Sequence, residues 1–328
     1  MEVEVQEMPD PAPGPDQAVV DLRVGGICGS DLHVVRGEPR EGMSRVPGHE
    51  PAGVVSAVGE NVDHIEVGRR VSVYHYVSCG HCQRCRQGNW MWCAERGGLG
   101  SHVAGSCADK VLVNARNCLP LPDELSFIDG ALIACGAGTS WSSMRKLDPG
   151  VEDTAVVFGL GPVGLIGVAM LRAFGARVVG VGRRAGRVRL AGELGAERVI
   201  DIDEDVEVVE AIREQFDGGV SVAYETSGAA VAQQQMVRCM RRFGRAVCVG
   251  LGSSEPAVNF GRLAGRQLTL MGSFVMNIGQ YEDLADFMVR HLDLGRIVTH
   301  RYPIEEAQEA FEMADAGDCA KVVLEWRE

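Results

Sequence analysis

Two patterns of apolar and polar positions divide the chain. Over residues 1–120, short Val-rich runs at 19–24, 53–58, 71–77 and 110–113 are separated by Gly- and Pro-rich stretches. Runs of this length between turn formers predict short strands and an all-β region. From Thr154 the pattern changes. Apolar runs at 154–158, 177–181, 198–201, 220–224, 246–250 and 267–271 now alternate with helix-period stretches at 163–174, 186–194, 206–215 and 230–241. This alternation predicts a parallel, doubly wound α/β sheet whose strands are buried on both faces. Helical periodicity returns over 281–294 and 304–316, and 321–326 reads as a closing strand.

Composition narrows the class. A chain of 328 residues has length for two domains, and 46% apolar with 23% charged residues is ordinary for a globular protein. No run of 18 apolar residues is present, which argues against a membrane span. The start, MEVEVQEMPDPAPGP, is acidic and Pro-rich, without the basic and apolar segments of a secretion signal, so a cytoplasmic location is expected. A net charge of −13 disfavours nucleic acid as a partner. The 11 cysteines are an odd number, and four of them fall between Cys79 and Cys93. In a reducing compartment such a cluster points to a metal rather than to disulfides.

The segment Gly159-Leu160-Gly161-Pro162-Val163-Gly164 places G-x-G-x-x-G between a predicted strand and a predicted helix. Gly159 permits the tight turn, Gly161 lets backbone approach a pyrophosphate, and Gly164 allows close helix–strand packing. The helix N-terminus adds N–H donors and a positive dipole, so a dinucleotide is the expected ligand. The next strand should end in an acid that bonds the ribose. It ends instead at Gly182, followed by Arg183 and Arg184. These cations either meet a 2′-phosphate, favouring NADP(H) over NAD(H), or are solvated surface residues.

Cys79-x2-Cys82-x2-Cys85-x7-Cys93 can surround one tetrahedral Zn²⁺ with four thiolates, a closed and therefore structural site. Short cysteine spacings also hold iron–sulfur clusters, which keeps a second reading open. His81 lies inside the cluster and is either a spare ligand or a solvated loop residue. Elsewhere Cys28, Ser30 and His33 fall within six residues, Gly48-His49-Glu50 follows, and Cys135 sits in a glycine-rich segment before residue 154. One imidazole and two thiolates leave a fourth tetrahedral position open, as a catalytic zinc requires.

In this order the motifs resemble the zinc-dependent medium-chain dehydrogenase/reductase family, the alcohol dehydrogenase superfamily, and in style its sorbitol, threonine and glucose dehydrogenase branch. The resemblance implies a GroES-like β domain from residues 1–136 and 272–328, with a Rossmann dinucleotide-binding domain of 137–271 between them. It implies two zinc ions per chain. Cys28, His49 and Cys135 would hold the catalytic one, with Glu50 as a neighbouring or alternate ligand. Cys79, Cys82, Cys85 and Cys93 would hold the structural one. Ser30 would touch the substrate oxygen and His33 would end the proton relay. The reaction implied is hydride transfer between a nicotinamide and an alcohol or carbonyl compound, in a homodimer or homotetramer, with no nucleic-acid or membrane partner.

The sequence departs from the family pattern in three places. Met1 falls about one strand later than members usually begin. Cys135 stands where the sorbitol branch often has an acid. Gly182 replaces the NAD-selecting acid. His75, four residues before Cys79, falls where the family lines its substrate pocket. It hints at a polyol, sugar or cyclitol, unless it is merely bonded to backbone. The alternatives are a simple secondary alcohol/aldehyde reductase and a non-catalytic zinc-binding relative.

Overall fold

In the computed structural model, which describes residues 2–37, 44–252, 255 and 258–327, the chain builds one unit from both of its ends and a second from its middle. The first unit is Met1–Gly138 with Met276–Glu328, and the second is Thr139–Val275. The chain begins with β1 (Gln17–Ile27), α1 (Gly29–Arg36), β2 (Glu50–Val58), β3 (Arg70–Val73) and β4 (Tyr76–Val77). It continues through α2 (Gln83–Arg86), β5 (Gly97–Gly98), β6 (Lys110–Asn114), β7 (Cys118–Pro120) and α3 (Phe127–Leu132). After α4 (Gly138–Leu147) come β8 (Thr154–Phe158), α5 (Pro162–Ala173), β9 (Arg177–Gly182), α6 (Ala185–Glu193) and β10 (Arg198–Asp201). Then follow α7 (Val208–Gln215), β11 (Val220–Glu225), α8 (Ala230–Cys239), β12 (Met240–Cys248), α9 (Phe260–Arg266) and β13 (Thr269–Gly272). The return segment carries α10 (Tyr281–His291), β14 (Val298–Pro303), α11 (Ala307–Ala316) and β15 (Lys321–Glu325).

The first unit is a seven-stranded sheet ordered β14-β15-β1-β2-β3-β7, with β6 also on β1. All its pairs are antiparallel except β14–β15. Its core gathers Val20, Leu22, Val55, Val71 and Val111 from alternate positions of the strands. The second unit is an all-parallel sheet ordered β10-β9-β8-β11-β12-β13. Numbered within the unit, that is 3-2-1-4-5-6, the doubly wound order whose direction reverses beside its first strand. β11 is buried at every position, as expected of a strand covered on both faces. Among the described residues no helix is long and apolar enough to cross a membrane.

Several elements depart from the sequence reading, three of them instructively. The single strand expected over 71–77 is split: β3 stays in the large sheet and β4 pairs with β5. Asn117 causes the bend, because its Nδ2 donates to the carbonyls of Tyr74 and Tyr76 at 2.7 and 2.9 Å, replacing ladder bonds. The helix expected over 230–241 stops at Cys239, and β12 begins at Met240 instead of 246. Met240 opposes Val220, while Arg245 opposes Val222, so the intervening residues bulge from the ladder. The glycine-rich segment at Cys135 is not a loose turn but a π-helical turn, Ile133–Ala137, between α3 and α4.

Candidate metal centre and dinucleotide loop

The end of β1 and the start of β2 lie side by side, with Gly26 opposite Glu50. Cys28 follows β1 and caps α1, and His49 immediately precedes β2. This pairing alone brings a thiol and an imidazole to one end of the sheet. The π turn supplies the third group, with Cys135 Sγ 3.9 Å from Cys28 Sγ. One donor atom each from Cys28, His49, Glu50 and Cys135 lies within 4.8 Å of all the others. Thiolates on one tetrahedral Zn²⁺ stand about 3.8 Å apart, given bonds of about 2.3 Å, so the donor set fits that ion. π turns recur at functional positions because the extra residue re-aims one side chain.

Asp31 orients the set. Its Oδ2 accepts the Cys28 N–H at 2.9 Å, and its Oδ1 accepts from His49 Nδ1 at 2.7 Å. With Nδ1 carrying the proton, the lone pair of His49 is on Nε2, the atom available to a metal. Burial opposes the charged imidazole, yet Asp31 outweighs it and raises the affinity of His49 for a proton. Hydrogen bonding to Cys135 holds the Cys28 thiol well below its ordinary range. Ser30 is exposed in the first turn of α1, with Oγ 3.5 Å from His49 Nε2. His33 is exposed three residues further on the same helix.

A buried ion pair lies beside these donors. Glu50 and Lys321 are each 1% exposed and in contact, and Lys321 Nζ also donates to the Ile27 carbonyl at 2.9 Å. Glycine at position 26 leaves the space that the pair fills, since a Cβ there would sit 2.1 Å from Glu50 Oε2 and 3.0 Å from Lys321 Cε. Burial raises the Glu50 pKa and Lys321 opposes the rise. His75 is buried against His49, ring centroids 5.3 Å apart; the ring bonds the Ala134 backbone, and its Nδ1 has no partner among the described residues. Burial, with His49 adding, pushes its pKa down to about 3, so the ring is neutral.

The four cysteines of the lobe also converge. Cys79–Cys85, Cys82–Cys85 and Cys82–Cys93 sulfurs are 3.9, 3.5 and 4.0 Å apart, and none forms a disulfide. The spacing suits a single ion at the centre. An iron–sulfur cluster interposes several atoms between its thiolates and needs a wider ring. Backbone N–H groups of Cys82 and Cys79 point at Cys79 and Cys93 sulfurs, at 3.4 and 3.5 Å, as thiolate acceptors favour. His81 is exposed and donates to the Cys79 carbonyl at 3.0 Å.

In the second unit the glycine loop joins β8 to α5 at the C-terminal edge of the parallel sheet. Gly159 has φ +91°, and a Cβ on Gly164 would lie 1.8 Å from the Gly159 carbonyl oxygen. Gly161 caps α5 with Pro162 in the first turn, and a Cβ on Gly161 would meet open space, room that a phosphate can use. Leu160 is buried, and the Val163 carbonyl accepts from Ser140 Oγ at 3.0 Å. Gly182 is buried beneath this loop: a Cβ there would lie 2.6 Å from Leu160 Cγ. Arg183 and Arg184 are exposed where α6 begins, and Arg184 has φ +75°.

Asp31 and Lys321 were not assigned roles from the sequence. Asp31 lies three residues after Cys28, the spacing of a capping box, and that spacing was the available signal. Lys321 is one of only three lysines and opens the otherwise apolar strand β15, a sign of a buried partner.

Comparison with known proteins places the chain in a family. Residues 14–123 match the alcohol dehydrogenase GroES-like domain, and residues 162–290 match the zinc-binding dehydrogenase domain. An L-threonine 3-dehydrogenase of Deinococcus radiodurans is 32% identical over 96% of this chain and 92% of its own. A zinc-binding dehydrogenase from Sinorhizobium meliloti 1021, solved with NADP, superposes with TM-score 0.88 at 29% identity, covering 96% of this chain and 93% of that one. An alcohol dehydrogenase (rspB) from Escherichia coli CFT073, solved with NADH, gives TM-score 0.90 at 26% identity over 99% and 96%. Fold, paired domains and relatives agree: the chain belongs to the zinc-dependent alcohol dehydrogenase family of medium-chain dehydrogenases/reductases, NAD(P)-dependent oxidoreductases that act on alcohols and carbonyls.

Proposed function

We propose that the first unit is the catalytic GroES-like domain and holds two zinc ions. Cys28, His49 and Cys135 bind the catalytic ion, with Glu50 beside it, and Cys79, Cys82, Cys85 and Cys93 bind the structural one. The observation that carries this reading is the convergence of one imidazole and two thiolates from three separate elements. When bound, zinc supplies a Lewis acid for the alcohol oxygen, and the nicotinamide supplies the hydride acceptor. Ser30 takes the hydroxyl proton and passes it outward toward His33. Their spacing of three on α1 puts both on one side of the helix, which supports the relay. His75, neutral and with an unpartnered Nδ1, supports a substrate with a further polar group, such as a polyol, sugar or cyclitol. The threonine dehydrogenase relative, named for a hydroxylated substrate, points the same way.

The protein should bind two zinc equivalents, and Cys28→Ala should keep one and lose turnover with the fold intact. Full activity in Cys28→Ala at unchanged zinc content would remove the assignment. For the cofactor, the proposal is NADP(H) over NAD(H). Gly182 offers no acid to repel a 2′-phosphate, and Arg183 and Arg184 follow it at the surface. Because those contacts are solvated, a gain of about 1.4 kcal/mol is expected, about tenfold in affinity. Arg183→Ala/Arg184→Ala should raise KM for NADPH about tenfold and leave that for NADH nearly unchanged. Equal or better kcat/KM with NADH in the wild type would overturn the preference.

A further inference from the structure

We propose that Glu225 is a positioning residue for the dinucleotide: its buried carboxylate gathers the turn 226–229 and locks that turn against the glycine loop. This rests on the reading that loop 159–164 takes the pyrophosphate.

Glu225 ends the central strand β11 and is fully buried, following five buried residues of the same strand. A carboxylate in such a place is costly unless donors surround it. Among the described residues its donors are local. Its Oε1 accepts the N–H of Ser227 at 2.8 Å, the N–H of Gly228 at 2.9 Å and the Ser227 hydroxyl, and Gln233 Nε2 approaches Oε2 at 3.5 Å. The side chain thus folds the residues that follow it into a tight turn with Gly228 at φ +69°.

That turn is wedged between two others. On one side Thr226 donates its hydroxyl to the carbonyls of Phe158 and Gly159, both at 3.0 Å. A Cβ on Gly159 would lie 2.8 Å from Thr226 Oγ1 and 2.9 Å from the Ser227 nitrogen. On the other side Gly250 and Gly252 press on Gly228, where added Cβ atoms would come within 2.0 Å of its nitrogen and 1.9 Å of its oxygen. The backbone carbonyl of Glu225 accepts from Val249 and Gly250, at 2.8 and 3.2 Å. The glycine loop therefore rests on a turn whose shape one carboxylate sets. If the turn relaxes, Gly159 and the start of α5 lose their backing, and the N–H donors aimed at a phosphate lose their alignment.

The test uses the zinc-loaded protein and NADPH, with Kd read from the fluorescence of the bound nicotinamide. Glu225→Ala should weaken binding at least tenfold. Its KM for NADPH should rise by more than kcat falls at saturation, and both zinc equivalents should remain. Glu225→Gln keeps one acceptor oxygen for the same N–H groups and should stay within about threefold of wild type, on the same scale of affinity. A Glu225→Ala variant that melts lower but binds NADPH within twofold of wild type would make the residue merely structural and overturn the proposal. A Glu225→Gln variant as weak as Glu225→Ala would overturn it too, because charge and not acceptor placement would then matter. Should Glu225→Ala not fold, Thr226→Val removes the contact from the other side and should weaken NADPH at least fivefold; unchanged binding counts against the proposal. Gly161→Asp separates the underlying reading: if it leaves NADPH binding intact, the glycine loop is not the phosphate site, whatever Glu225 does.

Discussion

Asp31, in the first turn of α1, bonds two of the candidate metal donors. By accepting from the Cys28 N–H and from His49 Nδ1, it fixes both the helix cap and the imidazole tautomer. Partners of this kind are worth about 10- to 100-fold in metal affinity. Asp31→Asn should therefore weaken zinc at the Cys28–His49–Cys135 centre by that factor and leave the four-cysteine lobe loaded. Competition with a chelator would read the two ions separately, and simultaneous release of both would rule the role out. At this scale the sequence was informative where chemistry is carried by residue type. Cysteine and histidine announce themselves as potential donors; spacing alone grouped Cys79, Cys82, Cys85 and Cys93, whereas Cys28, His49 and Cys135 were grouped by residue type and by the family resemblance. Lys321 did not, because its meaning depends on Glu50, a contact made only through the pairing of β1 with both β2 and β15. Gly26 likewise reads as one glycine among 42 until that pairing shows what would occupy its Cβ.

Among the elements, the parallel strands were the easiest to read. Each is covered on both faces and so appears as an unbroken apolar run. β14 was missed because half-buried and exposed positions alternate in VTHRYP without a strong apolar side. The break between β3 and β4 is set by Asn117, some forty residues away, and no local signal carries it. Some stability of the second unit also lies in one cross-strand link. Asp153, just before β8, takes bonds from Arg245 on β12 at 2.8 Å and from Ser221 on β11 at 2.7 Å. Burial alone would raise its pKa, but these bonds and the Gly150 N–H outweigh burial and lower it below the ordinary 3.8. A carboxylate depressed in this way stabilises the fold fully above its unfolded value and loses that contribution as pH falls through the folded one. Asp153→Asn should cost about 1–2 kcal/mol at neutral pH, and the difference from wild type should shrink as pH drops below about 4. Urea unfolding of both proteins at pH 7 and pH 3.5 measures it; a constant gap would mean that ionisation of Asp153 plays no part. The lobe offers a second check at this scale. A closed thiolate site contributes folding free energy, so Cys82→Ser should lower the melting temperature and zinc content together, with activity lost only as a consequence.

Across the whole molecule, the two units divide the chemistry by topology. The parallel sheet reverses direction between β8 and β11, and the glycine loop and the Glu225 turn both emerge at that reversal. The antiparallel sheet joins β1 to β15, so the end of the first unit where the candidate metal donors converge is made from residues near 30, 50, 135 and 321. Lys321 Nζ meets the Ile27 carbonyl across 294 positions of sequence. During synthesis, then, the donors Cys28, His49 and Cys135 leave the ribosome long before the cation that neutralises Glu50. In that interval Glu50 has no Lys321 beside it, while the lobe at 79–93 already has its four cysteines and awaits only the bonds that Asn277 and Ile278 make to its turn. A chain halted after Gly317 should hold one zinc instead of two and still bind nicotinamide dinucleotide. Two equivalents in the halted chain would show that the centre matures without its last strand.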